Sequence, residues 1–167
     1  MAKRTQSTLS TLCTPRHTIY KKGAYNMKIW NATDVRKDWS RVVDLVSRDR
    51  PQFIKRTHDN MLLANEDFIF QLLDAYSFTA EIYKEADGSI TLSLHEIDLV
   101  ENASTQEDAR NLLAASLLDY AAEYFDDFKL WSSAPNRKNH IPYVLKALLL
   151  ATPEKIAEEI LCQDGKS

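Results

Sequence analysis

An Asp-Gly pair set between two alternating runs constrains this chain more tightly than any other feature. Phe78-Thr79-Ala80-Glu81-Ile82-Tyr83 alternates, Asp87-Gly88 follows, and Ser89-Ile90-Thr91-Leu92-Ser93-Leu94 alternates again. Successive side chains of a strand point to opposite faces, and Asp-Gly suits the backbone angles of a tight turn, so the pattern predicts an antiparallel hairpin. A further short strand is expected from Ile97 to Val100. Thr105 to Asp108 has the form of a helix entry with the Thr hydroxyl as cap. Ala109, Leu113, Ser116, Leu117, Tyr120, Tyr124 and Phe128 then extend one helical face over several turns. After the polar loop Ala134 to His140, Pro142 suits the start of another helix, which Tyr143 to Leu149 continue. Thr152-Pro153-Glu154 opens a last helix, with Thr as cap and Pro at its first position. Its apolar edge is Ile156, Ile160 and Leu161, and its acidic edge is Glu154, Glu158 and Glu159.

The earlier part of the chain has a different rhythm. Met27 to Asn31 reads as a short strand, and Ala32-Thr33-Asp34 starts a helix with Thr33 as its cap. Val35, Trp39, Val42, Val43 and Val46 recur at helical spacing as one apolar face, while Arg36, Lys37, Ser40, Arg41 and Asp44 lie off it. Pro51 stops the helix. Gln52 to Thr57 alternates as a strand, His58-Asp59-Asn60 supplies turn chemistry, and Met61 to Ala64 returns. Asn65 can cap a second helix from Glu66 to about Tyr76, with Phe68, Leu72 and Leu73 buried. The order is β-α-β-β-α.

The chain has 167 residues, 44% of them hydrophobic and 27% charged, with three Gly and five Pro. That supports one generous domain or two small ones and excludes wholesale disorder. No apolar run approaches a membrane span, and a cytoplasmic protein without a membrane partner is expected. Cys13 and Cys162 cannot build a disulfide framework or a zinc site between them. The net charge of −3 hides an uneven distribution. Residues 1–58 hold 13 Lys and Arg against 4 Asp and Glu, a net of +9, and residues 59–167 hold 8 against 20, a net of −12. The basic front suits a polyanion, and the acidic rear suits a basic protein. Residues 1–26 show no sustained period and are rich in Ser, Thr and basic side chains, as a disordered arm is. Codons for Lys22-Gly23-Ala24 can also contain a bacterial ribosome-binding sequence just upstream of Met27. The expectation is that Met27 is the true start and that residues 1–26 are upstream message read in frame.

Thr33-Asp34-Val35-Arg36-Lys37-Asp38-Trp39-Ser40, then Pro51 to Arg56, then Asn65-Glu66-Asp67-Phe68 resemble the motifs of the prevent-host-death (Phd/YefM) family of antitoxins, in order and spacing. The turn departs from that family, since Arg56-Thr57-His58-Asp59-Asn60 has no Gly. Asp87-Gly88 with its strands, Glu96-Ile97-Asp98-Leu99 and Thr105 to Ala109 resemble the HicB-type antitoxin domain, a small partial RNase-H-like fold, without that family's Pro-Asp-Leu-Pro-Gly-Cys stretch. The resemblance implies an α+β protein in three parts. Residues 1–26 are the extension, 27–76 a Phd/YefM-like module for DNA binding and dimerisation, and 77–167 a HicB-like module with C-terminal helices for binding a toxin.

The implied function is that of a type II antitoxin that neutralises its toxin and represses its own operon as a homodimer on operator DNA. In the family the Arg of the first helix and the basic residue after the initiator Met contact DNA, and these match Arg36 and Lys28. Arg36 can offer a bidentate fork to guanine, and Lys28 and Lys37 suit phosphates. Backbone amides from Thr33 to Val35 can receive a phosphate, and Asn31 completes the expected DNA-binding set of Lys28, Asn31, Thr33, Arg36 and Lys37. The bland alternative pairs Arg36 and Lys37 with Asp34, Asp38 and Asp44 on a solvated helix face. For the toxin, expected to be a small basic ribonuclease-type protein, the candidate surface is Glu154, Ile156, Glu158, Glu159 and Ile160.

Two other functions fit parts of the pattern. One is a protein inhibitor that does not bind DNA. The other is a metal-dependent nuclease built on Glu96, Asp98 and Glu101, which requires several carboxylates converging on metal ions. His17, His58, His95 and His140 are scattered, and the three glycines leave no phosphate loop. The expectation is no catalytic residue, no metal and no cofactor.

Overall fold

The computed structural model describes residues 18–22 and 25–165, with side chains from Lys28 onward. Of the disordered arm expected at residues 1–26, residues 1–17, with Cys13 and His17, lie outside the described residues, as do Gly23 and Ala24, whereas residues 18–22 and 25–26 are in strands. The chain forms two compact units that divide after Asn65.

The first unit contains β1 (Thr18–Lys22), β2 (Tyr25–Asn31), α1 (Ala32–Lys37), α2 (Trp39–Arg48), β3 (Gln52–Arg56) and β4 (Asp59–Leu63). The sheet order is β1-β2-β3-β4, with β2 and β3 parallel and both outer pairs antiparallel. A parallel pair needs a crossover, and α1 with α2 provide it. β1 lies in a segment where the sequence has no strand period; its ladder with β2, from Thr18 opposite Ile29 to Lys22 opposite Tyr25, forms it.

Trp30, Val35, Val42 and Ile54 make the core. The Trp30 indole Nε1 donates to Gln52 Oε1 at 2.9 Å, and Gln52 Nε2 donates to the Arg50 carbonyl at 2.7 Å. Both buried polar groups are thereby satisfied, which removes a desolvation cost of about 1–3 kcal/mol each.

Three local expectations are corrected here. Asn31, not Thr33, caps α1: its side-chain oxygen accepts from the Thr33 N–H at 2.9 Å. The single helix expected after it breaks at Asp38, whose φ of −129° and ψ of 41° are not helical. The break changes the helical phase, so Val42 and Val46 are buried while Trp39 is 54% exposed and Val43 also faces solvent. The hairpin turn is Thr57-His58, with Arg56 paired to Asp59, one residue earlier than the turn chemistry suggests. Thr57 takes a φ of 52°, a left-handed angle that is strained for a β-branched residue.

The second unit contains α3 (Glu66–Leu72), β5 (Phe78–Lys84), β6 (Ile90–Leu94), β7 (Leu99–Ala103), α4 (Gln106–Asp126), α5 (Phe128–Ser133), α6 (Ile141–Leu150), α7 (Pro153–Glu159) and β8 (Ile160–Asp164). The sheet order is β7-β6-β5-β8; β5, β6 and β7 run antiparallel, and β8 is parallel to β5. Gly88 takes a φ of 86° in the β5–β6 turn, and Asp87 Oδ1 accepts from the Ser89 N–H at 2.9 Å. The third strand begins at Leu99, two residues later than expected. Thr105 Oγ1 caps α4 by accepting from the Asp108 N–H at 3.1 Å.

The buried face of α4 (Ala109, Leu113, Ala114, Leu117, Ala121 and Tyr124) joins Phe78, Leu92, Val144, Ile156 and Ile160 in one core. α3 belongs to this unit, where Phe70 packs on the core and Leu73 is buried, whereas Leu72, expected inside, is 56% exposed. α4 stops at Asp127, another non-helical Asp (φ −116°, ψ 50°), so Phe128 starts a new helix instead of continuing the buried face.

The last helix ends at Glu159, and Ile160 begins a strand opposite Phe78. Ile156 and Ile160 are 0% and 3% exposed. Two of the three residues of the expected apolar edge therefore pack into the unit's own core, while Leu161 is 59% exposed. Lys146 is buried beside them; its Nζ donates to the Tyr76 carbonyl and pairs with Glu159 Oε2, both at 3.0 Å.

His140 is also buried, with its Nδ1 2.7 Å from the Tyr120 hydroxyl. Arg137 Nη1 donates to the same hydroxyl at 3.0 Å, so the Tyr120 proton goes to His140 Nδ1, which accepts it only in the neutral ring. Burial first, and then the Arg137 charge, push His140 below its ordinary value of 6.5, against a smaller upward pull from Asp98. The unfolded chain therefore takes up this proton before the folded one. Stability is full above that ordinary value and falls as pH drops through it toward the depressed folded value. Urea midpoints measured at neutral pH and at about pH 5 should separate in the wild type. They should draw closer in His140→Asn, whose side-chain oxygen can still accept from Tyr120. An equal separation in both proteins would remove His140 as the cause.

Candidate functional site

The first unit carries its charge candidates on β2, α1 and α2. Lys28 Nζ lies 4.8 Å from the Trp30 ring centroid, and the Arg41 guanidinium carbon lies 5.9 Å from it. The two cations flank one buried indole, a favourable arrangement because the ring face is electron-rich. Arg36 and Lys37 project from the last turn of α1 and are exposed. Neither makes an ion pair with Asp34, Asp38 or Asp44 among the described residues; Asp38 pairs instead with Arg41 at 3.5 Å.

Asn31 and Thr33 are used differently from the expectation. Asn31 Oδ1 holds the Thr33 N–H, so that amide is not open to a phosphate, and the six residues of α1 give its end only a small dipole. Arg41, which the sequence pattern did not single out, lies on α2 beside the same indole as Lys28.

The second unit has a cleft of about 490 Å³ between the N-terminal part of α4 and α7. Glu107, Arg110 and Asn111 line it on one side, and Glu154 and Glu158 on the other. The Glu154 carboxyl is held below the usual carboxylate range, first by its own backbone N–H and then by the Thr152 hydroxyl. Arg110 Nη2 donates to the Cys162 sulfur at 3.5 Å, while its buried Nε has no hydrogen-bond partner. Glu159 faces away from this group toward Lys146. The expected toxin-contact residues therefore separate into two cleft carboxylates, one ion-pair partner and two core isoleucines.

Two of the three carboxylates considered for a nuclease serve other bonds. Glu96 Oε2 accepts from the Thr79 N–H, and Glu101 Oε1 accepts from the Ser116 hydroxyl. Among the described residues no group of three or more His, Cys, Asp and Glu side chains converges. No helix among the described residues is long and apolar enough to cross a membrane.

Charge follows the division into units. From Met1 to Asn65 there are 13 Lys and Arg against 5 Asp and Glu, a net of +8; from Glu66 to Ser167 there are 8 against 19, a net of −11. Much of the basic excess of the N-terminal part precedes Met27.

A family model described as "PHD_like: Antitoxin of toxin-antitoxin, RelE / RelB, TA system" matches residues 27–162. No curated protein matches the chain. A crystal structure from Syntrophomonas wolfei subsp. wolfei, described as the antitoxin part of a proposed toxin/antitoxin system, has a TM-score of 0.79 and 38% sequence identity to it. That similarity covers 83% of this chain and 100% of the other. The family match reaches from β2 of the first unit into β8 of the second, and on that extent the chain belongs to the PHD_like family of toxin-antitoxin antitoxins.

Proposed function

We propose that this antitoxin holds operator DNA with its first unit and its toxin with its second. The segregation of charge onto two compact units carries the reading. A unit of net +8 with four cations around β2, α1 and α2 attracts phosphate, and a unit of net −11 repels it and attracts a basic protein. In this reading the first unit is Phd/YefM-like and the second HicB-like, and the chain is a non-enzymatic autorepressor.

Dimerisation fits the first unit's sheet. Trp30 and Ile54 are neighbours on its core side, so Ile29, Phe53 and Leu62 share the opposite side, where Phe53 and Leu62 are 40% and 47% exposed. A second copy would cover that stripe. The toxin, a small basic ribonuclease-type protein, would place a Lys or Arg in the cleft between Glu107, Glu154 and Glu158.

A gel-shift series against the DNA upstream of the gene tests the first half. Arg36→Ala should weaken operator binding by about 1–3 kcal/mol and relax preference at one base position. Lys28→Ala should weaken binding to all sequences alike and lower the salt slope by roughly one phosphate. Wild-type affinity in Arg36→Ala would remove the DNA-reading role from α1.

A further inference from the structure

The far end of α4 carries a surface that the cleft does not include. Phe125 and Leu130 are 53% and 62% exposed, and Phe128 is also exposed, its ring edge-on to Phe125 with centroids 5.9 Å apart. Three large apolar side chains are thus exposed within six residues, two of them in ring contact, and exposed apolar groups of that kind mark contacts with partners. Exposed Glu123, Asp126 and Asp127 neighbour them in the sequence.

Those carboxylates sit at the wrong end of their helix. Carbonyls at a helix C-terminus carry partial negative charge, which cations relieve and anions aggravate. α4 has no basic residue in its last turn, and Asp127 is its C-cap. None of the three carboxylates makes an ion pair among the described residues, with nearby Lys129 or any other cation. A 21-residue helix, about 30 Å long, therefore ends in three unpaired carboxylates beside exposed aromatic rings, with Lys129 as the one cation within that stretch of sequence.

We infer that this end of α4 and the start of α5 form a second docking surface for the toxin, taking an apolar anchor of the toxin flanked by Lys or Arg. The inference rests on the toxin-binding reading of this unit. Charge complementarity selects the occupant. Nucleic acid is repelled, and a second copy would bring identical carboxylates against these in a two-fold contact. The cleft lies near the other end of the same helix, so one toxin molecule touching both surfaces would lie along α4.

The test uses the full chain and the purified product of the adjacent gene. Phe125→Ser combined with Leu130→Ser should raise the dissociation constant about thirtyfold, as loss of a central apolar anchor does. Asp126→Lys combined with Asp127→Lys should slow association about tenfold or more and flatten its dependence on salt. All four positions are exposed, and a melting curve confirms that each variant folds; if the apolar pair fails that check, the charge pair decides alone. Wild-type binding in the folded variants overturns this surface and leaves the cleft standing. A change only in the chain's own oligomeric state assigns the patch to a second copy and also overturns it. A wild-type chain that does not bind the product contradicts the toxin-binding reading itself, and this surface with it.

Discussion

Trp30→Ala is expected to cost the first unit about 3–5 kcal/mol, enough to unfold a unit this small. Trp30 is fully buried at the centre of a four-residue core. Its removal leaves a cavity, an unpaired Gln52 carboxamide oxygen and two cations, Lys28 and Arg41, without the ring they flank. Hydrogen exchange on peptides from residues 28–63 should show lost protection, and operator binding should disappear with it. Protection equal to that of the wild type over those residues would show that the core does not depend on the indole.

Phe78→Ala should have a comparable effect on the second unit, about 3–5 kcal/mol. Phe78 is fully buried on β5, between β6 and β8, and stands opposite Ile160 in the parallel ladder. Its ring centroid is 6.3 Å from that of Tyr143 and 5.6 Å from Lys146 Nζ. Truncation therefore opens the core beside a buried cation and loosens the attachment of β8. Phe78→Leu keeps most of the volume and should cost less than about 1.5 kcal/mol. Urea midpoints of the two variants measure the difference, and equal midpoints would contradict the packing described for β5.

What the sequence made legible was local. The β5–β6 hairpin could be read because Asp87-Gly88 states its turn chemically, and α4 could be read because Thr105 caps it and its apolar face repeats for five turns. The breaks at Asp38 and Asp127 could not. Asp is tolerated inside a helix, and its tendency to compete for backbone hydrogen bonds becomes a break only in context. Each break precedes an aromatic residue, Trp39 or Phe128, and each turns that residue from core into surface.

β8 was hidden for a different reason. Its five residues carry no turn signal, and their partner strand lies about eighty positions upstream, so only tertiary pairing forms it. The same gap explains Ile156 and Ile160, since an amphipathic helix edge facing its own core looks in sequence like one offered to a partner. On the candidate sites, Lys28 and Arg36 were expected from motif resemblance and Lys37 from its charge on the same helix. The use of the Thr33 amide by Asn31 and the placing of Arg41 beside the Trp30 ring depend on local geometry that the sequence pattern does not carry.

The central claim is that the two units divide two tasks, and full-length variants that change one surface at a time test it most directly. Promoter repression and rescue from the adjacent-gene product are measured in the same cells for Arg36→Ala and for Glu154→Lys combined with Glu158→Lys. The division predicts that Arg36→Ala loses repression and keeps rescue, and that the cleft variant keeps repression and loses rescue. A folded Arg36→Ala protein that loses rescue, or a folded cleft variant that rescues like the wild type, would contradict it.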